Sequence, residues 1–400
     1  MTEPRLGRVQ CLDNRGLHRM AYWEWGDPAN PRVLVCVHGL ARQGRDFDTL
    51  ANDLASDYRV VCPDVVGRGR SDWLADPMAY AIPTYVADMV TLVARLGVEQ
   101  VDWVGTSMGG LIGLGLAAMK DTPIRRLVLN DVGPAIESVA VRRIATYLGV
   151  PMFWLTVEAA ADALWALSQG FGPHTREQWL ALTRPQLVPA ERDGLSGFKS
   201  HYDPAIATPV RAMTAEAATA GTQLLWQMYD RITCPTLLLR GEASDLLSAA
   251  TADAMSRRGP RACVHGFAGV GHAPMLVQAD QRAVVRQLHQ GVVTELGRIA
   301  EVGEGVFGDA AVLSRALQVG EALRQRAVGV DEVGRVLVEH PCLTDQVQAV
   351  VGQGQVFFED GAVAAPLGVA LAQHQGVVGE VQNVVDRCLH HMCPTLSGIS

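Results

Sequence analysis

A serine stands between two glycines where an apolar segment runs into a glycine-rich helical pattern. Residues 101–104 form the apolar segment, Ser107 has a glycine two positions before it and two after it, and residues 109–119 carry the helical pattern. A strand that leads directly into a helix needs a turn so tight that bulky side chains two positions from its apex would collide. The helix would place its positive end beside the serine hydroxyl. The stretch therefore predicts a strand–turn–helix unit with an exposed, reactive serine.

Short apolar segments alternate with longer helical patterns around this unit. Such alternation is typical of a doubly wound α/β fold, in which helices cover both faces of a mostly parallel sheet. The predicted strands are residues 33–37, 59–62, 101–104, 126–130, 236–240 and 262–267. The predicted helices are residues 46–56, 84–96, 108–119 and 248–258. We expect an antiparallel hairpin before them at the sheet edge, formed by residues 9–12 and 17–25 around a turn at 13–16.

Two interruptions of this alternation divide the chain. Residues 134–230 show helical spacing without strong strand patterns, and we expect a helical cap there, inserted between the core segments 1–133 and 231–296. Beyond residue 296 the chain is rich in valine, glycine, alanine and glutamine and has no tryptophan or tyrosine. Residues 297–400 are either a small appended domain or, as we favour, a non-native and disordered extension. The tail is therefore left unassigned.

Charge and composition disfavour several classes of protein. The net charge is −8 and no basic stripe is visible, so nucleic acid is not an expected partner. No apolar stretch reaches the roughly 18 residues of a membrane helix, and the N-terminus lacks the apolar centre of a secretion signal. We therefore expect a cytoplasmic protein without membrane insertion. Cys36, Cys62 and Cys263 lie in apolar segments, which favours small buried residues over disulfides.

The reactive serine needs partners, because serine is a weak nucleophile without a base and the base needs an orienting carboxylate. His272 and Asp245 each follow a predicted strand, and the strand ends of an open parallel sheet meet at one edge. We therefore predict a triad of Ser107, His272 and Asp245. Two other carboxylates stay open as the acid. Asp131 follows an earlier strand, and Glu242 lies nearer to its strand end than Asp245 does.

A second loop at this edge follows the strand at 33–37 and supplies backbone amides. The predicted oxyanion hole consists of the amides of Leu40 and Met108, and Gly39 lets the backbone approach the substrate closely. His38 is expected to shape this loop rather than to act as the base. Arg42 follows the loop and is a candidate contact for an acidic substrate group. Of the two interpretations we favour a solvent-exposed arginine without that role.

The remaining polar motifs have no predicted role. Several histidines lack a strand-end glycine setting and are expected at the surface or in packing: His18, His174, His201, His265 and His289. In the tail, residues 303–308 match G-x-G-x-x-G without a surrounding strand–helix–strand unit. The cysteines and histidines at 388–393 form only half of a zinc site. We therefore predict neither a cofactor nor a metal.

Together these motifs resemble the α/β-hydrolase superfamily. The resemblance covers about residues 9–290 and is carried by His38, Gly39, the segment 64–71, Ser107, Asp245 and His272. The chain order serine, acid, histidine is the order that this superfamily uses. The resemblance implies the α/β-hydrolase fold with a cap over the sheet. A serine at the turn is similar to esterases, lipases and C–C hydrolases, whereas haloalkane dehalogenases and epoxide hydrolases have aspartate there.

The expected activity is hydrolysis of a carboxylic ester, or a related acyl bond, through an acyl-enzyme and without a cofactor. One alternative is C–C bond hydrolysis of a diketone acid by the same triad, with Arg42 holding the substrate carboxylate. The other is a non-catalytic protein of this fold that binds a small ligand. The expected partner is a small ester-like molecule, and the sequence determines neither its identity nor the oligomeric state.

Overall fold

An eight-stranded sheet forms the centre of the computed structural model, which describes residues 3–289 and five short strands in the tail. In chain order the strands before the tail are β1 (Arg5–Asp13), β2 (Gly16–Trp25), β3 (Val33–Val37), β4 (Arg59–Asp64), β5 (Val101–Thr106), β6 (Ile124–Asn130), β7 (Leu187–Arg192), β8 (Leu195–Ser200), β9 (Thr236–Gly241) and β10 (Cys263–Phe267). The sheet order is β1-β2-β4-β3-β5-β6-β9-β10, while β7 and β8 form a separate hairpin. Strands β3 to β6, β9 and β10 pair in parallel, and β1 and β2 add an antiparallel edge.

Helices connect the parallel strands. The α-helices are α1 (Asp48–Leu54), α2 (Ile82–Leu96), α3 (Met108–Ala117), α4 (Ser138–Tyr147), α5 (Val157–Leu167), α6 (Arg176–Thr183), α7 (Ala207–Ala212), α8 (Ala215–Tyr229), α9 (Ala249–Arg257) and α10 (Ala279–His289). Short 3-10 helices cover Gly44–Phe47, Pro77–Ala79, Gln169–Phe171, Arg184–Gln186 and Pro204–Ile206. Every predicted strand and helix of the parallel core is present, with its ends shifted by at most two residues. The predicted edge hairpin is present as well, and β1 begins four residues earlier than expected.

The strand β3 shows why apolar segments of this kind become central strands. All five of its side chains are buried. Val33, Val35 and Val37 belong to the core on one face of the sheet, and Leu34 and Cys36 belong to the core on the other face. Successive side chains of a strand point to opposite faces, so a strand covered by helices on both sides must be apolar throughout.

The segment between β6 and β9 contains helices α4 to α8 and the hairpin of β7 and β8. We call residues 134–230 the insertion. The helices agree with the predicted helical spacing, but the hairpin was not predicted. Its turn is formed by Asp193 and Gly194, with φ angles of 52° and 76°. Asp-Gly between two short strands is the turn sequence that fits such a hairpin, so the sequence did contain its signal.

The chain divides into two compact units, Met1–Thr294 and Glu295–Ser400. In the second unit, five short strands pair in an antiparallel sheet: β11 (Ala327–Val330), β12 (Val336–Val338), β13 (Ala349–Gly352), β14 (Gln355–Phe358) and β15 (Ala365–Pro366). The motifs at 303–308 and 388–393 lie outside the described residues. Both interpretations of the tail therefore stay predictions.

Two expectations from composition can be compared with the structure. Within the described part of the chain, no helix has both the length and the apolar character that crossing a bilayer requires. Cys36 and Cys62 are buried free thiols, as predicted, whereas Cys263 in the edge strand β10 is partly exposed.

Candidate active site

Ser107 lies at the apex of the turn between β5 and α3. Its backbone angles, φ 52° and ψ −116°, are rare for a residue with a side chain and indicate a strained turn. A Cβ on Gly105 would lie 2.3 Å from the carbonyl oxygen of Gly109. A Cβ on Gly109 would lie 2.0 Å from the carbonyl oxygen of Val37. Only glycine fits at either position, and the turn has the geometry of a nucleophile elbow.

His272 stands between this serine and a buried carboxylate. Its Nε2 lies 3.0 Å from Ser107 Oγ, and its Nδ1 lies 2.7 Å from Asp131 Oδ2. A carboxylate only accepts hydrogen bonds, so Nδ1 carries the proton and Nε2 accepts from the serine hydroxyl. Asp131 is fully buried and also accepts from the Gly241 amide at 2.8 Å and the Ser244 hydroxyl at 2.6 Å. The arrangement can move a proton from the serine to the imidazole.

The acid of this arrangement differs from the predicted one. Asp245 pairs with Arg143 of α4, through Nε–Oδ2 and Nη2–Oδ1 contacts of 2.7 Å and 2.9 Å, and this pairing lowers the pKa of the Asp245 carboxyl. Asp131 contacts His272 instead, because β6 is the immediate neighbour of the elbow strand whereas β9 lies one strand further away. Glu242, the other open alternative, is exposed to solvent. The prediction of Asp245 as the partner of His272 is therefore wrong, and the alternative Asp131 occupies that place.

Buried side chains set the direction of the loop that carries Leu40. His38 Nδ1 donates to the Gly39 carbonyl at 2.7 Å, and its Nε2 accepts from the Val65 amide at 3.0 Å. Burial keeps the pKa of His38 well below its ordinary value, so the ring stays neutral and makes both contacts. The Gly39 carbonyl and the Leu40 N–H belong to one planar trans peptide and point in opposite directions. His38 thus orients the Leu40 amide, while the Met108 amide lies at the N-terminus of α3.

A pocket opens beside Ser107 and His272. Its apolar wall comes largely from the insertion: Ile144, Leu148, Met152, Leu164, Leu167 and Phe171. Its polar side includes Arg42 and Asp46, joined by two contacts of 2.7 Å. Burial raises the pKa of Asp46, and the Arg42 charge opposes that shift. Only 13% of the Arg42 side chain is exposed, so it is a pocket residue, and the favoured interpretation of a solvent-exposed arginine is wrong.

Comparison with known proteins decides the family. Residues 32–279 match the sequence profile described as alpha/beta hydrolase fold, which is more than half of the chain. The chain belongs to the alpha/beta-hydrolase family. The fold predicted from the sequence is thereby confirmed, and so is the prediction of an enzyme of the hydrolase class, which a relative named as a hydrolase supports.

Individual relatives of this alpha/beta-hydrolase agree with that assignment. A 3-hydroxybutyrate-oligomer hydrolase from Cupriavidus necator is 54% identical over 289 residues, which are 72% of this chain and 98% of that protein. The crystal structure of an alpha/beta hydrolase from Novosphingobium aromaticivorans is 36% identical, with a TM-score of 0.62 over 72% of this chain and 98% of that one. An E-2-(acetamidomethylene)succinate hydrolase, 21% identical, shares the fold with a TM-score of 0.59 over 71% of this chain and 100% of that one.

This alpha/beta-hydrolase also has a buried histidine in its pocket that sequence reasoning expected at the surface or in packing. His201 follows β8 of the insertion, lines the pocket and is 4% exposed. Its Nδ1 accepts from the Gly69 amide at 2.8 Å. Burial lowers the pKa of His201 to about 3, and the charges of Arg42 and Arg68 act in the same direction. No local motif marks this residue, because the insertion brings it to the core from far along the chain.

We expect His201→Asn to make the enzyme less sensitive to acid. Below pH 6.5 the unfolded chain protonates this histidine, whereas the folded chain does so only near its pKa of about 3. Protonation of His201 therefore does not reduce the free energy of unfolding above pH 6.5. As the pH falls below 6.5, it reduces that free energy by up to about 1.4 kcal/mol per pH unit. Asparagine keeps an acceptor for the Gly69 amide and removes the titration. The measurement is urea unfolding between about pH 6 and pH 4. In the variant, the free energy of unfolding should fall less steeply with decreasing pH, and the difference in slope should correspond to about one proton. An unchanged slope would contradict this account.

Proposed function

We propose that this enzyme hydrolyses the ester bonds of 3-hydroxybutyrate oligomers. The observation that carries the proposal is the 54% identity to an enzyme of that name over 98% of its length. Identity at this level, over nearly the whole relative, favours a shared substrate class. It also favours an ester over the C–C bond of a diketone acid.

The proposed reaction uses the serine arrangement described above. His272 Nε2 takes the proton of Ser107 as Oγ attacks the ester carbonyl carbon, and Asp131 stabilises the imidazolium that forms. The oxyanion accepts hydrogen bonds from the amides of Leu40 and Met108. His272 then protonates the leaving alkoxide, and the ester C–O bond breaks to give an acyl-enzyme. Water, activated by His272, attacks this intermediate and releases the second acid.

The pocket suits a substrate that carries both methyl groups and a terminal carboxylate. Gly39 separates the nucleophile from Arg42, since a Cβ at Gly39 would lie 3.7 Å from both Ser107 Cβ and Arg42 Cγ. Arg42 contacts Asp46 through Nε and Nη2, and among the described residues its Nη1 forms no hydrogen bond. We propose that Gly39 leaves room between the nucleophile and Arg42, and that Arg42 binds the carboxylate end of the oligomer. The apolar wall of the insertion then faces the methyl groups.

The test compares the dimer of 3-hydroxybutyrate with its methyl ester, which lacks the terminal charge. We expect the enzyme to release monomer from the free acid. Arg42→Met, combined with Asp46→Asn so that no buried carboxylate is left unpaired, should raise KM for the free acid by about tenfold or more, because hydrogen bonds to charged groups are worth about 1.5–3 kcal/mol.

The methyl ester is the control, and its KM should change little in the double variant. Equal effects on the two dimers would contradict the role of Arg42. Failure of the unsubstituted enzyme to cleave either dimer, with p-nitrophenyl butyrate still cleaved, would contradict the proposed substrate.

A further inference from the structure

Arg68 is a buried cation in the loop after β4. Its side chain is fully buried, and within the described part of the chain no carboxylate oxygen lies within 4.0 Å of its guanidinium nitrogens. A buried charge without a carboxylate beside it is energetically unfavourable, and its hydrogen bonds must compensate for the lost hydration.

All three nitrogens of the guanidinium have partners in the structure. Its Nε donates to the Leu40 carbonyl at 2.9 Å, and its Nη2 lies 3.6 Å from the sulfur of Met108. Its Nη1 donates to the Val66 carbonyl at 2.7 Å and to the Tyr85 hydroxyl at 2.9 Å. The aromatic ring of Tyr85 also lies 5.1 Å from the guanidinium carbon, within the range of a cation–π contact. The guanidinium, whose planar set of three nitrogens we call the fork, is therefore held in one orientation.

Two of these contacts involve the residues whose amides form the proposed oxyanion hole. Leu40 lies on the loop after β3, and Met108 is the first residue of α3, so the two belong to separate elements of the fold. The guanidinium is planar and rigid, and it links these two elements through the Leu40 carbonyl and the Met108 sulfur. We propose that Arg68 is a positioning residue that holds the two oxyanion donors in register and places a positive charge behind them.

The charge would act mainly on the transition state. Negative charge develops on the substrate carbonyl oxygen only as Ser107 attacks, and a fixed positive charge in a site of low dielectric stabilises that state more than the neutral ester. Loss of Arg68 should therefore lower kcat and leave KM nearly unchanged. A lysine at this position would keep the charge and lose the fork, so it should restore part of the effect.

The experiment measures p-nitrophenyl butyrate hydrolysis in Arg68→Met and Arg68→Lys, with kcat expressed per site labelled by a fluorophosphonate. It also measures inhibition by butylboronic acid, which forms a tetrahedral anionic adduct with a reactive serine. We expect Arg68→Met to lower kcat by about 10²-fold, with KM changed less than about threefold, and to weaken boronic acid binding by a similar factor. Arg68→Lys should recover at least about tenfold of the loss.

Arg59→Met is the matched control. Arg59 begins β4, at the end of the strand opposite to the loop of Arg68, and its side chain is 14% exposed and bonded to Glu24 and to the Leu96 carbonyl. The Arg59→Met variant should have a lower melting temperature, while its kcat per labelled site and its boronic acid binding stay close to those of the unsubstituted enzyme.

The inference rests on the proposed serine mechanism, and the outcomes separate the two. Unchanged kcat per labelled site and unchanged boronic acid affinity in Arg68→Met would overturn the role of Arg68 alone. So would equal losses in Arg59→Met. If Arg68→Met does not fold, Arg68→Lys decides, since loss of the fork should still weaken boronic acid binding. Absence of labelling and of ester turnover in the unsubstituted enzyme would overturn the mechanism and this inference together.

Discussion

Asp131→Asn should lower kcat by about 10⁴-fold, whereas Asp245→Asn should change kcat by less than about tenfold. An asparagine amide facing His272 Nδ1 would donate instead of accept, which favours the tautomer with its proton on Nε2. That tautomer cannot take the proton of Ser107. Asp245 does not set the tautomer of His272, because its carboxylate pairs with Arg143 instead. This ion pair is partly exposed, and such pairs contribute little to stability.

Both variants can be measured on p-nitrophenyl butyrate, with thermal unfolding as the check on folding. Asp131 accepts three hydrogen bonds, so some loss of stability in Asp131→Asn is expected alongside the loss of activity. A large loss in Asp245→Asn together with a small one in Asp131→Asn would show that the acid had been misassigned.

Ser107→Ala should lower kcat by about 10⁶-fold and abolish labelling by a fluorophosphonate. The physical reason is that the acyl-enzyme cannot form without the hydroxyl, and only the binding and oxyanion contacts remain. Peptide mapping of the labelled enzyme should place the modification on the tryptic peptide that contains Ser107.

Ser168 offers a matched control, because it is another serine that lines the same pocket. Ser168→Ala should be labelled to the same extent as the unsubstituted enzyme. Labelling of Ser107→Ala at another serine would mean that the elbow does not supply the nucleophile.

The sequence anticipated the parallel core because its signals are local. An apolar strand such as β3 must fill both faces of the sheet, and its composition follows from that requirement. The elbow is equally local, since the clashes that demand Gly105 and Gly109 arise within a few residues and against the adjacent strand. The hairpin of β7 and β8 was missed although its Asp193-Gly194 turn was present, because its strands are only partly buried and lack the continuous apolar composition of the core strands.

The candidate site was anticipated less completely than the fold. Ser107 and His272 were predicted from their loops, and in the structure Nε2 lies 3.0 Å from Oγ. The place of His201 in the pocket and the contacts of Arg68 could not be predicted, because their partners lie on other elements. His201 bonds to an amide 132 positions away in the sequence, and Arg68 contacts Met108 across 40 positions.

By itself the sequence determined the class of fold, the position of the strained serine and the loop that carries the histidine. These features follow from side-chain periodicity and from steric limits within one turn. Both depend on residues that are close together in the sequence. Only the tertiary structure decided between the two carboxylates, since Asp131 and Asp245 both follow strands that end at the same edge of the sheet. The order of the strands and the path of each loop bring Asp131 into contact with His272, which is 141 positions away in the sequence. Asp245 pairs with Arg143 instead. Such a contact depends on how distant elements pack, and no local pattern in the chain encodes it.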